Sequence, residues 1–398
     1  MRSVVIVGAS VAGVHAAKAL RSGGYDGDLH LVSKESDLPY DRPPLSKGFL
    51  LGTVHAEEIA LAPPSYYEEA RITLRLGVRA VAISPQRVDL SDGTHLAFDR
   101  LLLATGSRLH RLKVPGDDLD GVLYLRTLAD ARVLRARLLA AQHVAVVGGG
   151  FIGLEVAAAA RQLGKETVVL EALNAPLARL LGEETAQALC SLHRENGVSI
   201  VTRAEVMAFT GDGGVRAVVL RDGRSFPCDL AVVGVGVTPN DDLLGARGQG
   251  IPVGEHLQSA MDGVFAAGDV ARFPYRGREV RIEHWDNAQA MGEHAARAML
   301  GHAAPFAASP FFWSDQYDTT FQYFGHVDEH DAVVLRGDPA SRSFIAFYLR
   351  GGAVSAAFTA GRPRDALPLR RLVEQQAQID PEVLRSEDAS LKRLSRRE

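Results

Sequence analysis

Two glycine-rich segments of the chain have the residue types and spacing that binding of a dinucleotide pyrophosphate requires. One of them, GGGFIG at 148–153, is a complete G-x-G-x-x-G sequence directly after the apolar run 144–147. The first glycine makes a tight turn, the second lets the backbone approach the pyrophosphate, and the third lets helix and strand pack closely. The N-terminus of the following helix attracts the negative charge. The expected contacts of this site are Gly148, Gly150, Phe151, Ile152 and Gly153.

A carboxylate follows this motif at a spacing that suits the adenosine ribose. Glu171 ends the next apolar run and lies 23 residues after Gly148. A carboxylate at this point accepts hydrogen bonds from both ribose hydroxyls and repels a 2′-phosphate. An ordinary turn with a chance glutamate is the alternative, but the strand, the glycines, the helix and the acid all agree. The segment therefore predicts an NADH site that disfavours NADPH.

A related but incomplete motif lies near the N-terminus. Residues 4–24 repeat the pattern of residues 144–164 at a shift of 140 positions, with Ser10 in place of the middle glycine. Serine is small, so the backbone remains open to a phosphate. Because this segment is paired with a complete motif, we expect it to hold a second dinucleotide. Its expected contacts are Gly8, Ser10, Ala12 and Gly13.

The acid expected after the next strand of this N-terminal unit is displaced. Lys34 stands at the expected position, and Glu35 follows one residue later. Glu35 could replace the missing acid, whereas Lys34 could reach an adenosine phosphate. The sequence leaves both residues open as cofactor ligands.

The elements that position these motifs follow from hydrophobic periodicity. Each motif lies between a β-branched run and an alanine-rich segment at helical spacing, which is the start of a βαβ unit. Apolar runs that end in turn residues predict further strands, such as 101–104 and 231–237. Aromatic and alternating segments after about residue 305 indicate a different domain. The predicted fold class is α/β, with two Rossmann-like dinucleotide-binding domains and a small α+β C-terminal domain.

Composition and charge limit the class of protein. The chain has 398 residues, of which 46% are hydrophobic and 23% charged, and this suits a soluble protein of two or three domains. The net charge of −4 argues against nucleic-acid binding. The longest apolar run, 230–237, is too short to span a membrane. No secretory-signal pattern is recognised, so we expect a cytoplasmic protein.

The chain resembles the FAD-dependent NADH:ferredoxin reductases of bacterial oxygenase systems over nearly its whole length. Besides the two glycine motifs, the resemblance rests on DRPPLSK at 41–47, ATG at 104–106, LRT at 125–127, FAAGDV at 265–270, EHWDNA at 283–288 and WSDQ at 313–316. The RPPLSK run is the most discriminating of these motifs.

The resemblance implies a glutathione-reductase-like architecture. An FAD-binding domain is expected at 1–107 and 239–307, an NAD-binding domain at 108–238 and a C-terminal domain at 308–398. Electrons are expected to pass from NADH through FAD to a [2Fe–2S] ferredoxin that serves a cytochrome P450 or a Rieske-type oxygenase. A monomer or homodimer is expected. Two alternatives stay open: a rubredoxin reductase or NADH oxidase on the same fold, and a non-catalytic flavoprotein whose redox state gates an interaction.

The resemblance also implies roles for individual residues. Asp269 would bind the ribityl or pyrophosphate side of FAD, and Lys47 and Pro44 would lie against the isoalloxazine. Trp285 and Trp313 would lie beside the ring and at its solvent edge. Further expected cofactor contacts are Arg42, Ala80, Ala104, Thr105, Gly106, Arg126, Gly236, Gly268 and Glu283.

Lys47 and Glu155 form the hypothesised catalytic pair. The resemblance implies that Glu155 orients the nicotinamide carboxamide. A cation near flavin N5 and N1 would stabilise the reduced, anionic flavin, and a carboxylate partner would hold that cation in place. The two residues are assigned to different domains, and we expect them to meet when NADH is bound.

The cysteines and histidines argue against other chemistries on this architecture. Disulfide reductases need a close cysteine pair near the flavin, whereas 37 residues separate Cys190 from Cys228. Two isolated cysteines also suit a reducing compartment. His326 and His330 are four positions apart in turn-like sequence, so no metal site is predicted.

Overall fold

Each glycine motif follows the middle strand of a parallel sheet, and the two sheets lie in separate units of the chain. The computed structural model describes residues 1–302, 304–326 and 330–396. One unit comprises Met1–Arg42, His55–Arg108 and Val237–Pro310, and the second comprises Pro43–Val54, Leu109–Gly236 and Phe311–Glu398. The short segment Pro43–Val54 thus belongs to the second unit, although the residues on either side of it belong to the first.

The first unit is built on a sheet whose middle strand precedes the N-terminal motif. The strands lie in the order Val264–Ala266, Arg100–Leu103, Ser3–Val7, Asp28–Val32 and Ile72–Arg75, and neighbours are parallel. Their Val, Ile and Leu residues form the core of this unit, as the near-continuous apolar runs predict. Further elements are the helices Val11–Ser22, Pro64–Glu69 and Trp285–Met299, the 3₁₀ turns Asp242–Leu244 and Gly268–Val270, and the strands Ala80–Ser84, Arg87–Leu90, His95–Ala97, Val237–Pro239, Ile251–Pro252, Ala271–Tyr275, Arg278–Val280 and, at the unit boundary, Ser107–Leu109.

Two helices of the first unit approach each other closely because glycines lie at the contact. A Cβ atom at Gly292, in the helix Trp285–Met299, would lie 2.1 Å from the carbonyl oxygen of Ala12. A Cβ atom at Gly13 would lie 1.8 Å from the carbonyl oxygen of Gly8. Glycine is therefore required at both points, and the helix that starts at the N-terminal motif is held from two sides.

The second unit repeats the parallel arrangement around the complete motif. Its strands lie in the order Val198–Val201, Glu166–Leu170, His143–Val147, Leu230–Val233 and Val122–Leu123, all parallel. The helix Leu128–Ala140 begins with a capping box in which Thr127 and Asp130 bond reciprocally. Further elements are the 3₁₀ turn Pro43–Ser46, the helices Gly48–Leu51, Phe151–Gln162, Ala178–Leu181 and Glu183–Glu195, and the antiparallel strands Val206–Asp212, Gly214–Leu220 and Ser225–Pro227.

The C-terminal part of the second unit is an antiparallel sheet with helices packed against it. The strands lie in the order Phe311–Gln316, Thr319–Gly325, Ala353–Ala360, Ser343–Arg350 and Ala332–Asp338. One core cluster joins sheet residues such as Phe347 to helix residues such as Leu372. Further elements here are the 3₁₀ turns Pro339–Ser341 and Pro363–Asp365 and the helices Ala366–Glu374, Pro381–Arg385 and Leu391–Leu394.

The predicted α/β fold class, with two parallel sheets and an α+β C-terminal part, is confirmed. The prediction of a single strand over 231–237 is wrong: Leu230–Val233 and Val237–Pro239 are separate strands. Gly236 lies between them with φ +102°, a conformation that interrupts a strand. The boundaries of the three expected domains stay a prediction.

In the ranges 1–302, 304–326 and 330–396, no helix has both the length and the apolar character needed to cross a membrane.

We predict that Gly292→Ala lowers the free energy of unfolding of the first unit by about 2 kcal/mol or more, because the new methyl group must displace helix backbone. Gly254→Ala is the control, since its Cβ atom would meet only the Gln258 carbonyl oxygen, at 4.0 Å. Thermal unfolding followed by circular dichroism measures both changes. Equal losses in the two variants would contradict the close packing of the helices.

Candidate active site

The complete glycine motif leaves room for a pyrophosphate at a helix N-terminus. Gly148 has φ +102°, and a Cβ atom there would lie 2.3 Å from the Gly234 carbonyl oxygen. A Cβ atom at Gly153 would lie 2.2 Å from the Gly148 carbonyl oxygen. At Gly150, by contrast, an added Cβ atom would meet no protein atom within 4 Å. The helix Phe151–Gln162 begins directly after this open position, so its first N–H groups face the space that a pyrophosphate needs.

Glu171 lies against this motif and is buried. Its two carboxylate oxygens accept hydrogen bonds from the backbone N–H groups of Gly149 and Leu173, each at 2.7 Å. A carboxylate has about four acceptor positions, so two remain for ribose hydroxyls. Glu171 therefore fixes the glycine turn and still fits the proposed adenosine contact.

The N-terminal motif has the same geometry with a serine in it. Gly8 has φ +116°, and a Cβ atom there would lie 2.0 Å from the Ala104 carbonyl oxygen. Ser10 is the N-cap residue of Val11–Ser22, yet its hydroxyl makes no capping hydrogen bond. The Ser10 hydroxyl and the first N–H groups of the helix thus fit a second pyrophosphate. The neighbouring turn is fixed because Thr105 Oγ1 donates to the Asn240 carbonyl at 2.7 Å.

Lys34 and Glu35, the two candidate cofactor ligands after the second strand of this unit, have different surroundings. Lys34 is exposed, whereas Glu35 forms an ion pair with Arg42 at 2.7 Å and accepts a hydrogen bond from the Tyr40 hydroxyl. Burial would raise the pKa of Glu35, but Arg42 and Tyr40 together outweigh that effect and hold the pKa below its ordinary value. Glu35 is therefore a fixed carboxylate one residue after the position where the pattern lacks an acid.

Two polar pairs join residues of the expected FAD-binding domain that are far apart in sequence. Ser107 Oγ donates to a carboxylate oxygen of Asp269 at 3.1 Å. Gly268 has φ +76°, and a Cβ atom there would lie 3.2 Å from Ala12 Cβ. The Trp285 indole N–H donates to Asp41 at 2.7 Å. The motif residues at 268–269 thus lie beside the helix that starts at the N-terminal glycines.

Glu155 and Lys47 form an ion pair inside the second unit. Lys47 Nζ lies 2.9 Å from Glu155 Oε1, and only 4% of the Glu155 surface is exposed. The same oxygen accepts a hydrogen bond from Ser314 Oγ at 2.6 Å, and Oε2 accepts one from Ser46. Phe151, one turn earlier on the helix, packs edge-on against Phe312 with ring centroids 4.8 Å apart. The pair is therefore part of a packed, hydrogen-bonded core.

The predicted site residues divide between the units. The first unit holds Gly8, Ser10, Ala12, Gly13, Lys34, Glu35, Arg42, Ala80, Ala104, Thr105, Gly106, Gly268, Asp269, Glu283 and Trp285. The second holds Pro44, Lys47, Arg126, Gly148, Gly150, Phe151, Ile152, Gly153, Glu155, Glu171, Gly236 and Trp313. Ala80 is buried at the start of its strand. Glu283 forms an ion pair with Arg281 at 2.5 Å. Trp313 stacks on Phe311 with ring centroids 6.1 Å apart. Lys47 and Glu155, assigned from sequence to different domains, belong to the same unit.

Several polar residues that hydrogen-bond to Glu155, directly or through another side chain, were not predicted from the sequence. Ser46 and Ser314 lie within the quoted motifs RPPLSK and WSDQ, so a signal for them was present. His193 gave no such signal. It is fully buried, and its ring contacts Gln316 across 123 positions of sequence.

The two cysteines do not have the character of redox-active thiols. Both are buried and free, and burial raises the pKa of each thiol, that of Cys228 to about 12. Thiolates are the reactive form, so neither residue is suited to thiol–disulfide exchange. In the described ranges, with gaps at 303, 327–329 and 397–398, no group of three His, Cys, Asp or Glu residues could hold a metal ion.

Comparison with known proteins gives a consistent result along the chain. Residues 2–292 match the pyridine nucleotide-disulphide oxidoreductase family, and residues 311–395 match the reductase C-terminal domain. The ferredoxin–NAD(+) reductase component of an anthranilate 1,2-dioxygenase system from Burkholderia cepacia is 41% identical over 98% of both chains.

Solved structures agree over the whole chain. The crystal structure of the ferredoxin reductase for the CYP199A2 system from Rhodopseudomonas palustris matches with a TM-score of 0.96 and 35% identity over 100% of both chains. Putidaredoxin reductase in its covalent complex with putidaredoxin matches with a TM-score of 0.95 and 36% identity, over 99% of this chain and 98% of its own.

We predict that His193 makes stability fall as the pH falls from about 6.5 toward 4. Burial lowers the pKa of His193 to about 4, so the unfolded chain takes up its proton first. The linked loss in the free energy of unfolding is about 2 kcal/mol at pH 5. Urea unfolding at pH 7 and pH 5 measures it, and His193→Gln should remove that part of the pH dependence. An unchanged pH dependence in this variant would show that His193 is not held neutral.

Proposed function

Since the chain belongs to the pyridine nucleotide-disulphide oxidoreductase family and carries its reductase C-terminal domain, we propose that it is an FAD-dependent NADH:ferredoxin reductase. It passes electrons from NADH through FAD to a [2Fe–2S] ferredoxin, which serves a P450 or Rieske-type oxygenase. The observation that carries the proposal is the buried Lys47–Glu155 pair beside a complete dinucleotide motif, in a chain without a reactive thiol pair. The reaction takes place in the cytoplasm.

FAD belongs to the first unit. The N–H groups at the start of Val11–Ser22 and the Ser10 hydroxyl hold its pyrophosphate. Glu35, fixed by Arg42, accepts from the adenosine ribose, and Asp269, fixed by Ser107, accepts from the ribityl side. When bound, FAD accepts two electrons at once and releases them singly.

NADH belongs to the second unit. The helix start at Phe151 holds the pyrophosphate, and Glu171 accepts from the ribose. Glu155 accepts a hydrogen bond from the nicotinamide carboxamide, which sets the position of the ring. Lys47 keeps that carboxylate in place through its ion pair.

The electrons leave for an external one-electron carrier. The buried thiols of Cys190 and Cys228 have raised pKa values, so the chain offers no thiolate pair to receive a hydride equivalent. Trp313 is partly exposed on the C-terminal sheet, and we propose that it contacts the ferredoxin.

Anaerobic reduction of the FAD-loaded protein tests this function. We expect NADH to bleach the flavin absorbance rapidly, and a [2Fe–2S] ferredoxin added next to be reduced by one electron. A control with both cysteines changed to alanine should retain these steps. Electron transfer to oxygen but not to ferredoxins would instead support an NADH oxidase, and slow bleaching with a long-lived charge-transfer band would support a redox-gated flavoprotein.

We predict that Glu171→Gln reduces the preference for NADH over NADPH, measured as kcat/KM, by about tenfold. The amide keeps one acceptor oxygen but loses the other, which accepts a backbone N–H from Gly149 or Leu173. It also loses the charge that strengthens the ribose hydrogen bonds and repels a 2′-phosphate. Glu166→Gln, at the exposed start of the same strand, is the matched control and should leave the preference unchanged. A preference that stays the same in Glu171→Gln would contradict the assigned role.

A further inference from the structure

The strand Phe311–Gln316 presents two polar side chains to the interior of the second unit. Ser314 and Gln316 are fully buried, whereas Trp313 and Asp315 are not. Alternate residues of a strand point to opposite faces, so the hydroxyl and the amide share one side and the indole lies on the other. The buried side is the one that meets Glu155.

A continuous series of hydrogen bonds runs from Glu155 along this buried side. Ser314 Oγ donates to Glu155 Oε1 at 2.6 Å, and Gln316 Nε2 donates to Ser314 Oγ at 3.0 Å. Gln316 Oε1 lies 2.7 Å from His193 Nε2, and the Tyr317 hydroxyl lies 3.2 Å from His193 Nδ1. The series thus joins the helix of the complete glycine motif, the C-terminal sheet and the helix Glu183–Glu195.

The chemistry of the groups allows one direction for these bonds. An ionised carboxylate and an amide oxygen only accept hydrogen bonds. His193 Nε2 therefore carries the proton that it donates to Gln316, and Nδ1 accepts from Tyr317. Gln316 Nε2 then donates to Ser314, whose own hydrogen is left to point at Glu155. Every donor in the series points toward the carboxylate, and bonds aligned in this way strengthen one another.

The series is suited to holding a group in place and not to moving protons. A proton relay requires every member to take up one proton and release another. The Gln316 amide does neither readily, because its oxygen is a very weak base and its nitrogen a very weak acid. With the hydrogen bonds in this direction, both ring nitrogens of His193 already have partners, and the residue is fully buried.

The far end of the series is fixed by an unusual backbone conformation. Tyr317 has φ +55°, in the left-handed region that residues other than glycine rarely adopt. Its ring packs edge-on against His193 with centroids 5.3 Å apart. The turn after Gln316 is therefore held by the tyrosine side chain, and the end of the strand is fixed relative to the helix Glu183–Glu195.

We propose that Ser314, Gln316 and His193 are positioning residues that set the orientation of the Glu155 carboxylate for the nicotinamide carboxamide. This role rests on the proposed function, in which Glu155 receives that group. Lys47 and Ser46 approach Glu155 from the Pro43–Val54 segment, and Ser314 approaches it from the C-terminal sheet. Loss of the Ser314 hydroxyl leaves the carboxylate with two donors, Lys47 and Ser46, in place of three, so its orientation is held less firmly.

Ser314→Ala tests the proposal in the FAD-loaded protein by anaerobic stopped-flow. We expect flavin reduction at saturating NADH to slow about tenfold, because small misplacement of a reacting group is costly. Ser314→Thr keeps a hydroxyl and should recover most of the rate. Thr359→Val removes a buried hydroxyl that donates to the Phe344 carbonyl in the same sheet, and should leave the rate unchanged.

Ligand affinity gives a readout that a general loss of structure would not produce. We expect Ser314→Ala to weaken NAD⁺ binding about fivefold and to leave ADP-ribose, which lacks nicotinamide, unaffected. The 3-acetylpyridine analogue of NAD⁺ lacks the carboxamide N–H donors, so its affinity should be the same in both proteins. Isothermal titration calorimetry measures all three ligands with each variant.

The outcomes separate this proposal from the proposed function. If wild-type protein binds NAD⁺ and is reduced by NADH but Ser314→Ala matches it in both measurements, the positioning role is wrong and the function stands. The role is also wrong if the variant loses affinity for all three ligands equally. If NADH does not reduce the wild-type flavin, the proposed function itself fails.

Discussion

The carboxylate of Glu155 is the constraint on which the organisation of the second unit depends. It is buried, and a buried carboxylate needs a cation and hydrogen-bond donors to offset the loss of solvation. Those partners come from stretches far apart in sequence: Ser46 and Lys47 from one, Ser314 from another. Removing one partner of a buried pair typically costs about 3–5 kcal/mol. This requirement gives a physical reason why Pro43–Val54 and the C-terminal sheet belong to the same unit as the complete glycine motif.

The same residues that satisfy this requirement also prepare the proposed chemistry. A carboxylate held by three donors has a fixed orientation and keeps about one of its four acceptor positions for a ligand. The glycine motif one turn earlier on the helix leaves space for a pyrophosphate, so one helix would contact both the pyrophosphate and the nicotinamide in the proposed NADH site. Preorganisation of this kind avoids a reorganisation cost at the moment of reaction.

Much of the fold could be predicted because it depends on patterns of residues that are close together in the sequence. The internal repeat, with its β-branched runs, glycine turns and alanine-rich helices, predicts both parallel sheets. The strand order and the break at Gly236 could not be read in this way, since they depend on pairing between distant segments and on one backbone dihedral angle. The contacts from Arg42 and Tyr40 that fix the Glu35 carboxylate could not be predicted either, because they depend on the fold around it. Likewise, nothing in the sequence around His193 indicates that it faces Gln316.

A double-mutant cycle on Lys47 and Glu155 tests whether their ion pair acts as one unit in the reduction of the flavin. The rate of flavin reduction by NADH would be measured by anaerobic stopped-flow in wild type, Lys47→Met, Glu155→Gln and the double variant. If the ion pair acts as one unit, each single change slows reduction by about a hundredfold and the double variant is hardly slower than either. Independent effects that multiply in the double variant would show that Lys47 and Glu155 act separately and that the ion pair has no joint role.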